Sequence, residues 1–158
     1  MALPVGAQAP DIALKTLTSE GLREVRLSDH RGNKNVVLLF FPAAFTGVCT
    51  QEMCAAGDAF ADLDIENVVV YGVSPDSPFA QAAWAEKEGI RHPLLSDYQR
   101  EAARAFDVVL PDLAGLGPGS QRAAFVIDRE GVVRYSEQTP TPLELPNLEA
   151  VRQTLASL

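Results

Sequence analysis

Sulfur and imidazole are scarce in this 158-residue chain, which has two cysteines, Cys49 and Cys54, and two histidines, His30 and His92. So few thiols exclude a disulfide scaffold. The histidines lie 62 positions apart, and a lone C-x4-C pair falls short of the four ligands of a structural zinc site, so no metal is expected. The C-x-x-C of a disulfide-reducing enzyme is missing as well. No Lys/Arg run reaches three, and 13 basic against 21 acidic residues leave a net charge of −8. Neither nucleic acid nor an anionic membrane surface is therefore an expected partner. The longest apolar run, Val36 to Phe41 continued by Pro42-Ala43-Ala44-Phe45, is far short of the ~20 residues that span a bilayer. Met1 to Gly6 carries neither a basic region nor a long apolar stretch and does not read as a signal peptide, so a cytoplasmic location is expected. No repeat, low-complexity tract or linker interrupts the chain, and one domain is expected over residues 1–158. A domain of this size hides roughly two-thirds of its unfolded surface, enough for a core without staples.

What is present is an alternation of strands and helices. Val36-Val37-Leu38-Leu39-Phe40-Phe41, stopped by Pro42, fits a strand buried on both faces. Val68 to Val73 is a second such run, and Ala123 to Asp128 a third, which Arg129-Glu130-Gly131 turns into Val132-Val133-Arg134-Tyr135 as a hairpin. Ser77 followed by Pro78 opens a helix that runs to Lys87 or Glu88 and stops at Gly89. Asp97 can start another, with Ala102, Ala103 and Phe106 inward. Leu148, Val151, Leu155 and Leu158 recur at helical spacing and predict a terminal amphipathic helix. Thr46 to Leu63 is Ala-rich and interrupted by Gly57, yet it directly follows a buried strand and is read as a helix. Pro111 to Gly119 is read as a loop. The plan is α/β, a central mixed β-sheet flanked by helices.

The chemistry-bearing stretch joins the first buried strand to its helix. In open α/β sheets ligands bind beyond the carboxyl ends of the strands, where this segment must lie. Thr46 can cap the helix, and Cys49 then falls in its first turn, where free N–H groups and the helix dipole favour an anion, here a thiolate. On position alone a second reading stays open, that Cys49 is a small buried hydrophobe.

Pro42, Thr46 and Cys49 stand in a P-x-x-x-T-x-x-C arrangement, and the stretch resembles the active site of peroxiredoxins. The resemblance extends through Gly6-Ala7-Gln8-Ala9-Pro10-Asp11, Leu94-Leu95-Ser96-Asp97 and Arg122 to Asp128. It implies a thioredoxin-like fold and a thiol peroxidase without metal, haem or flavin, acting on hydrogen peroxide and organic hydroperoxides. Cys49 would be the attacking thiolate, Thr46 and Arg122 would hold the peroxide, and Pro42 would shield the pocket without adding an N–H. A thioredoxin-like protein or a low-molecular-weight thiol would restore the enzyme, as monomer or homodimer.

Cys49-Thr50-Gln51-Glu52-Met53-Cys54 is similar to the bacterioferritin comigratory (Q-type) branch, whose second cysteine lies five residues on. Phe45-Thr46-Gly47, Trp84 and the segment after Ser96 look like the one-cysteine E-type branch. The first likeness implies that Cys54 resolves the oxidised Cys49 as an intramolecular disulfide; the alternative is that Cys54 faces the core and never reacts. Five residues along an intact helix separate the Cα atoms by roughly 8–9 Å, whereas disulfides need about 4.4–6.8 Å, so a bridge requires unwinding. Glu52 is read as an exposed helix carboxylate, Trp84 as packing or a subunit contact, His30 as a solvated loop residue, and His92 as a turn residue before Pro93.

Overall fold

The computed structural model describes residues 2–158. The chain opens with a hairpin of β1 (Ala13–Thr18) and β2 (Gly21–Arg26), then a 3-10 turn over Leu27–His30. Alternating strands and helices follow: β3 (Asn35–Phe40), α1 (Gly47–Ala59), β4 (Val68–Ser74), α2 (Pro78–Glu88), β5 (Leu94–Ser96) and α3 (Glu101–Ala105). A two-residue ladder of β6 (Val109–Leu110) and β7 (Gly119–Ser120) flanks a loop, and β8 (Ala123–Ile127), β9 (Val133–Gln138) and α4 (Leu148–Ala156) close the chain. The seven-stranded sheet runs β2-β1-β5-β4-β3-β8-β9, with β3, β4 and β5 parallel and the remaining neighbours antiparallel.

The three apolar runs read from the sequence are the middle of this sheet. All six residues of β3 and all five of β8 are buried. Alternation along β3 splits the core in two. Val36, Leu38 and Phe40 face Tyr71, Phe106 and Phe125 on one side, while Val37 and Leu39 join Met53, Trp84 and Val151 on the other. Helix α2 starts and stops where the sequence placed it: the Ser77 side chain accepts from Ala80 N–H at 3.1 Å, and Gly89 is left-handed at φ +67°. Ala102, Ala103 and Phe106 are fully buried, and both Asp97 carboxylate oxygens accept from N–H groups of α3. In the terminal helix Val151 and Leu155 are buried as expected, but Leu158 lies beyond its end and is exposed. Gly119, read as loop, is the first residue of β7.

His30 is not a solvated loop residue. It is half-buried, with Nε2 2.7 Å from Tyr71 Oη and the two rings tilted together at 5.7 Å. Its partner is 41 positions away, which local sequence does not reveal. No helix among the described residues is long and apolar enough to cross a membrane.

Candidate active site

Strand β3 delivers the chain to the carboxyl edge of the sheet, and Pro42 follows it, buried. The link Pro42–Thr46 must then reverse into α1, which it does through Phe45 at φ +63°. A non-glycine residue there costs about 1–2 kcal/mol, so surrounding contacts must hold it. Thr46 is the N-cap residue of α1 by backbone geometry, but its hydroxyl does not cap the helix. Thr46 Oγ1 instead donates to the Ala43 carbonyl at 2.7 Å, tying the loop to itself. The helix N–H groups that this hydroxyl would have occupied are left to another acceptor.

Cys49 is the third residue of α1 and is 1% exposed. The Arg122 guanidinium, delivered by the residue just before β8, donates from Nη2 to Cys49 Sγ at 3.1 Å and from Nε to the Pro142 carbonyl at 2.9 Å. Its Nη1 donates to Glu52 Oε2. Thus the planar fork of one arginine spans a sulfur, a carboxylate and a carbonyl, which a lysine could not do. Pro42, Thr46 and Cys49 lie on one continuous segment, and Arg122 comes to Cys49 across 73 positions.

Glu52 corrects its expected exposure: it is fully buried, because it shares a helix face with Cys49 three residues earlier. That spacing was the available signal, since a buried Cys49 takes residue 52 inward with it. Burial pushes the Glu52 carboxyl up from 4.5 to about 7, outweighing the opposing charge and hydrogen bond of Arg122. Its second oxygen, Oε1, has no hydrogen-bond partner among the described residues. The folded protein therefore keeps a proton that the unfolded chain releases. This group's stabilising contribution is full below pH about 4.5 and is lost as pH rises towards 7. Glu52→Gln, which cannot ionise, is expected to flatten the fall of Tm between pH 5 and 7; an unchanged slope would assign it to other groups.

Cys54 does not face the core. It is exposed on α1, with Sγ 3.8 Å from the Glu88 carbonyl. Both cysteines are free, and the helix that carries them is unbroken from Gly47 to Ala59. Other contacts hold this helix along its length. Trp84, fully buried, donates from Nε1 to Thr50 Oγ1 at 3.1 Å and packs on Phe41. His92 Nε2 lies 3.1 Å from the Met53 sulfur; burial lowers this imidazole to about 4, so it is neutral at pH 7 and suited to donating there. Among the described residues no group of three or more His, Cys, Asp or Glu could hold a metal ion.

Known proteins share this fold. The AhpC/TSA family profile matches residues 5–136, which include every site residue described above except the Pro142 carbonyl. The chloroplast 2-Cys peroxiredoxin BAS1 of Hordeum vulgare is 36% identical over 139 residues, covering 84% of this chain and 64% of that protein. This chain thus spans less than two thirds of the barley relative's length. Alkyl hydroperoxide reductase E of Mycobacterium tuberculosis is 36% identical over 137 residues, covering 85% of each chain. The crystal structure of reduced Prx3 from Vibrio vulnificus in complex with hydrogen peroxide matches with a TM-score of 0.82 at 26% identity, over 97% of this chain and 99% of that one. The thioredoxin-like α/β fold expected from the sequence is the fold of these neighbours, and the chain belongs to the AhpC/TSA family as a peroxiredoxin.

Proposed function

We infer that the protein is a thiol peroxidase in which Cys49 attacks hydrogen peroxide or an organic hydroperoxide. The observation that carries this reading is the Arg122 guanidinium 3.1 Å from a sulfur in the first turn of a helix. The Cys49 thiolate takes the nearer peroxide oxygen, the O–O bond breaks, and the other oxygen leaves with the electron pair to become water or an alcohol after protonation. Sulfur is oxidised to a sulfenic acid. Ionisation alone cannot account for such an enzyme. A free cysteine of pKa about 8.5 is ~3% thiolate at pH 7, so complete ionisation gains at most ~30-fold, about 2 kcal/mol. Enzymatic accelerations usually start near ~10⁶-fold. The remainder falls to groups aimed at the breaking bond: Arg122 and the first N–H groups of α1 would donate to it, while the Thr46 hydroxyl, whose own proton goes to the Ala43 carbonyl, would accept from the peroxide.

Exposure of Cys54 on the same helix supports its role as the resolving thiol. Its sulfur would displace water from the sulfenic acid and form a Cys49–Cys54 disulfide, for a thioredoxin-like dithiol protein to reduce. The helix must unwind first, and Gly57 within it lowers that cost by about 1 kcal/mol relative to Ala. A second reading has its own support in the contacts that pin Thr50, Glu52 and Met53: a helix held shut would leave the sulfenic acid to an external thiol.

One experiment separates them. Wild type, Cys49→Ser and Cys54→Ser are treated with one equivalent of peroxide, then their thiols are counted and their masses recorded. The two-cysteine cycle predicts loss of both thiols in wild type with no oxygen added, and a sulfenic acid in Cys54→Ser. A wild type that gains one oxygen while Cys54 stays free establishes the one-cysteine cycle. Peroxide consumption by Cys49→Ser at the wild-type rate would overturn the peroxidase assignment itself.

A further inference from the structure

The loop that carries Thr46 is tied to its own helix at its last residue, where the Thr46 carbonyl accepts from Thr50 N–H at 3.0 Å. Pro42 has no N–H, Phe45 is left-handed, and Thr46 spends its hydroxyl on the Ala43 carbonyl. What reaches in from outside is Asp76, in the link between β4 and α2. Asp76 Oδ2 accepts from Ala44 N–H at 2.8 Å, two residues before Thr46. The same oxygen accepts from Ser74 Oγ at 2.7 Å, and Ser74 Oγ accepts in turn from Gln81 Nε2 at 2.9 Å. Gln81 is anchored by a further bond to the Leu95 carbonyl at 2.8 Å, and the Asp76 carbonyl accepts from Ser96 Oγ at 2.6 Å. Ser74, Gln81 and Ser96 are buried. The carboxylate is therefore fixed from behind by the ends of β4, β5 and α2, and its free face is turned to a single backbone N–H of the loop.

We propose that Asp76 is a positioning residue of the peroxide site, fixing the Pro42–Thr46 loop so that the Thr46 hydroxyl and the entry to α1 meet the substrate in register. The proposal rests on the peroxidase reading of Cys49. Asp76 acts through Ala44 and touches no reacting atom. Its influence is selective because Cys49 is placed by different contacts, those of Arg122 and α1. Releasing the loop misplaces the substrate-facing groups but leaves the sulfur where it is. Misplacement by about 1 Å can cost a reaction ~10²-fold, so an effect of about tenfold or more is expected.

The test compares Asp76→Ala with Asp76→Asn. One oxygen serves both hydrogen bonds, so the asparagine carbonyl can replace it while removing the charge. In Asp76→Ala, kcat/KM for hydrogen peroxide is expected to fall by about tenfold or more, whereas alkylation of Cys49 by iodoacetamide stays within about twofold. Asp76→Asn should restore peroxide reduction to within about threefold of wild type. Ser74→Ala, which loosens the carboxylate without removing it, should give a smaller loss in the same direction and serves where Asp76→Ala does not fold. A wild-type rate in Asp76→Ala, an equal loss in Asp76→Asn, or a parallel loss of alkylation would each overturn the proposal. Amide hydrogen exchange keeps it separate from the peroxidase reading. The Ala44 amide should exchange at least about tenfold faster in Asp76→Ala with β3 still protected, even if the wild-type protein reduces no peroxide.

Discussion

Replacing Arg122 by alanine, with Cys49 intact, is expected to lower the turnover of peroxide by about 10²–10³-fold, the usual effect of removing one donor aimed at developing charge. The cause lies in what the guanidinium touches. As the O–O bond breaks, negative charge moves from sulfur onto the departing oxygen, and Arg122 already lies 3.1 Å from that sulfur. Its site excludes water, since both Arg122 and Cys49 are at most 2% exposed, so the charge is little screened. Arg122→Lys is the informative companion. It keeps the charge, but a point ammonium cannot serve Cys49, Glu52 and the Pro142 carbonyl together, so most of the loss should persist. Steady-state peroxide consumption measures both. Turnover within a few-fold of wild type in Arg122→Ala would remove Arg122 from the proposed chemistry.

How much of this was legible beforehand depended on whether a residue's environment is set locally. Strands β3, β4 and β8 were readable because strands flanked on both sides must be apolar throughout, and a run such as Val36 to Phe40 has no other use. Helix α2 announced both ends with Ser77-Pro78 and Gly89. The β1–β2 hairpin was missed because it is an edge whose residues are mostly half-exposed and polar, so no continuous run marks it. Gly21, at φ +106° where the turn closes, was the signal present. Strand β5, at three residues, is too short to show a period. In the candidate site, Pro42, Thr46 and Cys49 could be singled out because they lie within eight residues, and Arg122 only through resemblance to a family. The environments of His30, Glu52 and Asp76 depend on partners 41, 70 and 32 positions away, distances over which neighbouring residues carry no information.

Glu52→Ala should be the most destabilising single change in this region, costing about 3–5 kcal/mol, more than Arg122→Ala although it breaks the same pair. The asymmetry follows from what each partner does when left alone. Without Arg122, the buried Glu52 carboxyl, already raised to about 7, takes up a proton and sheds its charge. Without Glu52, Arg122 has no such exit, because a guanidinium does not deprotonate in proteins. A permanent cation would then be buried with only the Cys49 sulfur and the Pro142 carbonyl as partners. For a chain of this length each kcal/mol moves Tm by about 2–4 °C, so Glu52→Ala should melt roughly 6–20 °C below wild type. Glu52→Gln, which keeps an acceptor for Nη1, should fall between. The same reasoning predicts faster alkylation of Cys49 in Glu52→Ala at 25 °C, since the arginine charge no longer has a carboxylate to neutralise it and acts on the sulfur alone. Denaturation and alkylation together decide the matter: if Arg122→Ala is the less stable protein, or if Cys49 reacts more slowly in Glu52→Ala, the carboxylate does not restrain the arginine in the way its geometry indicates.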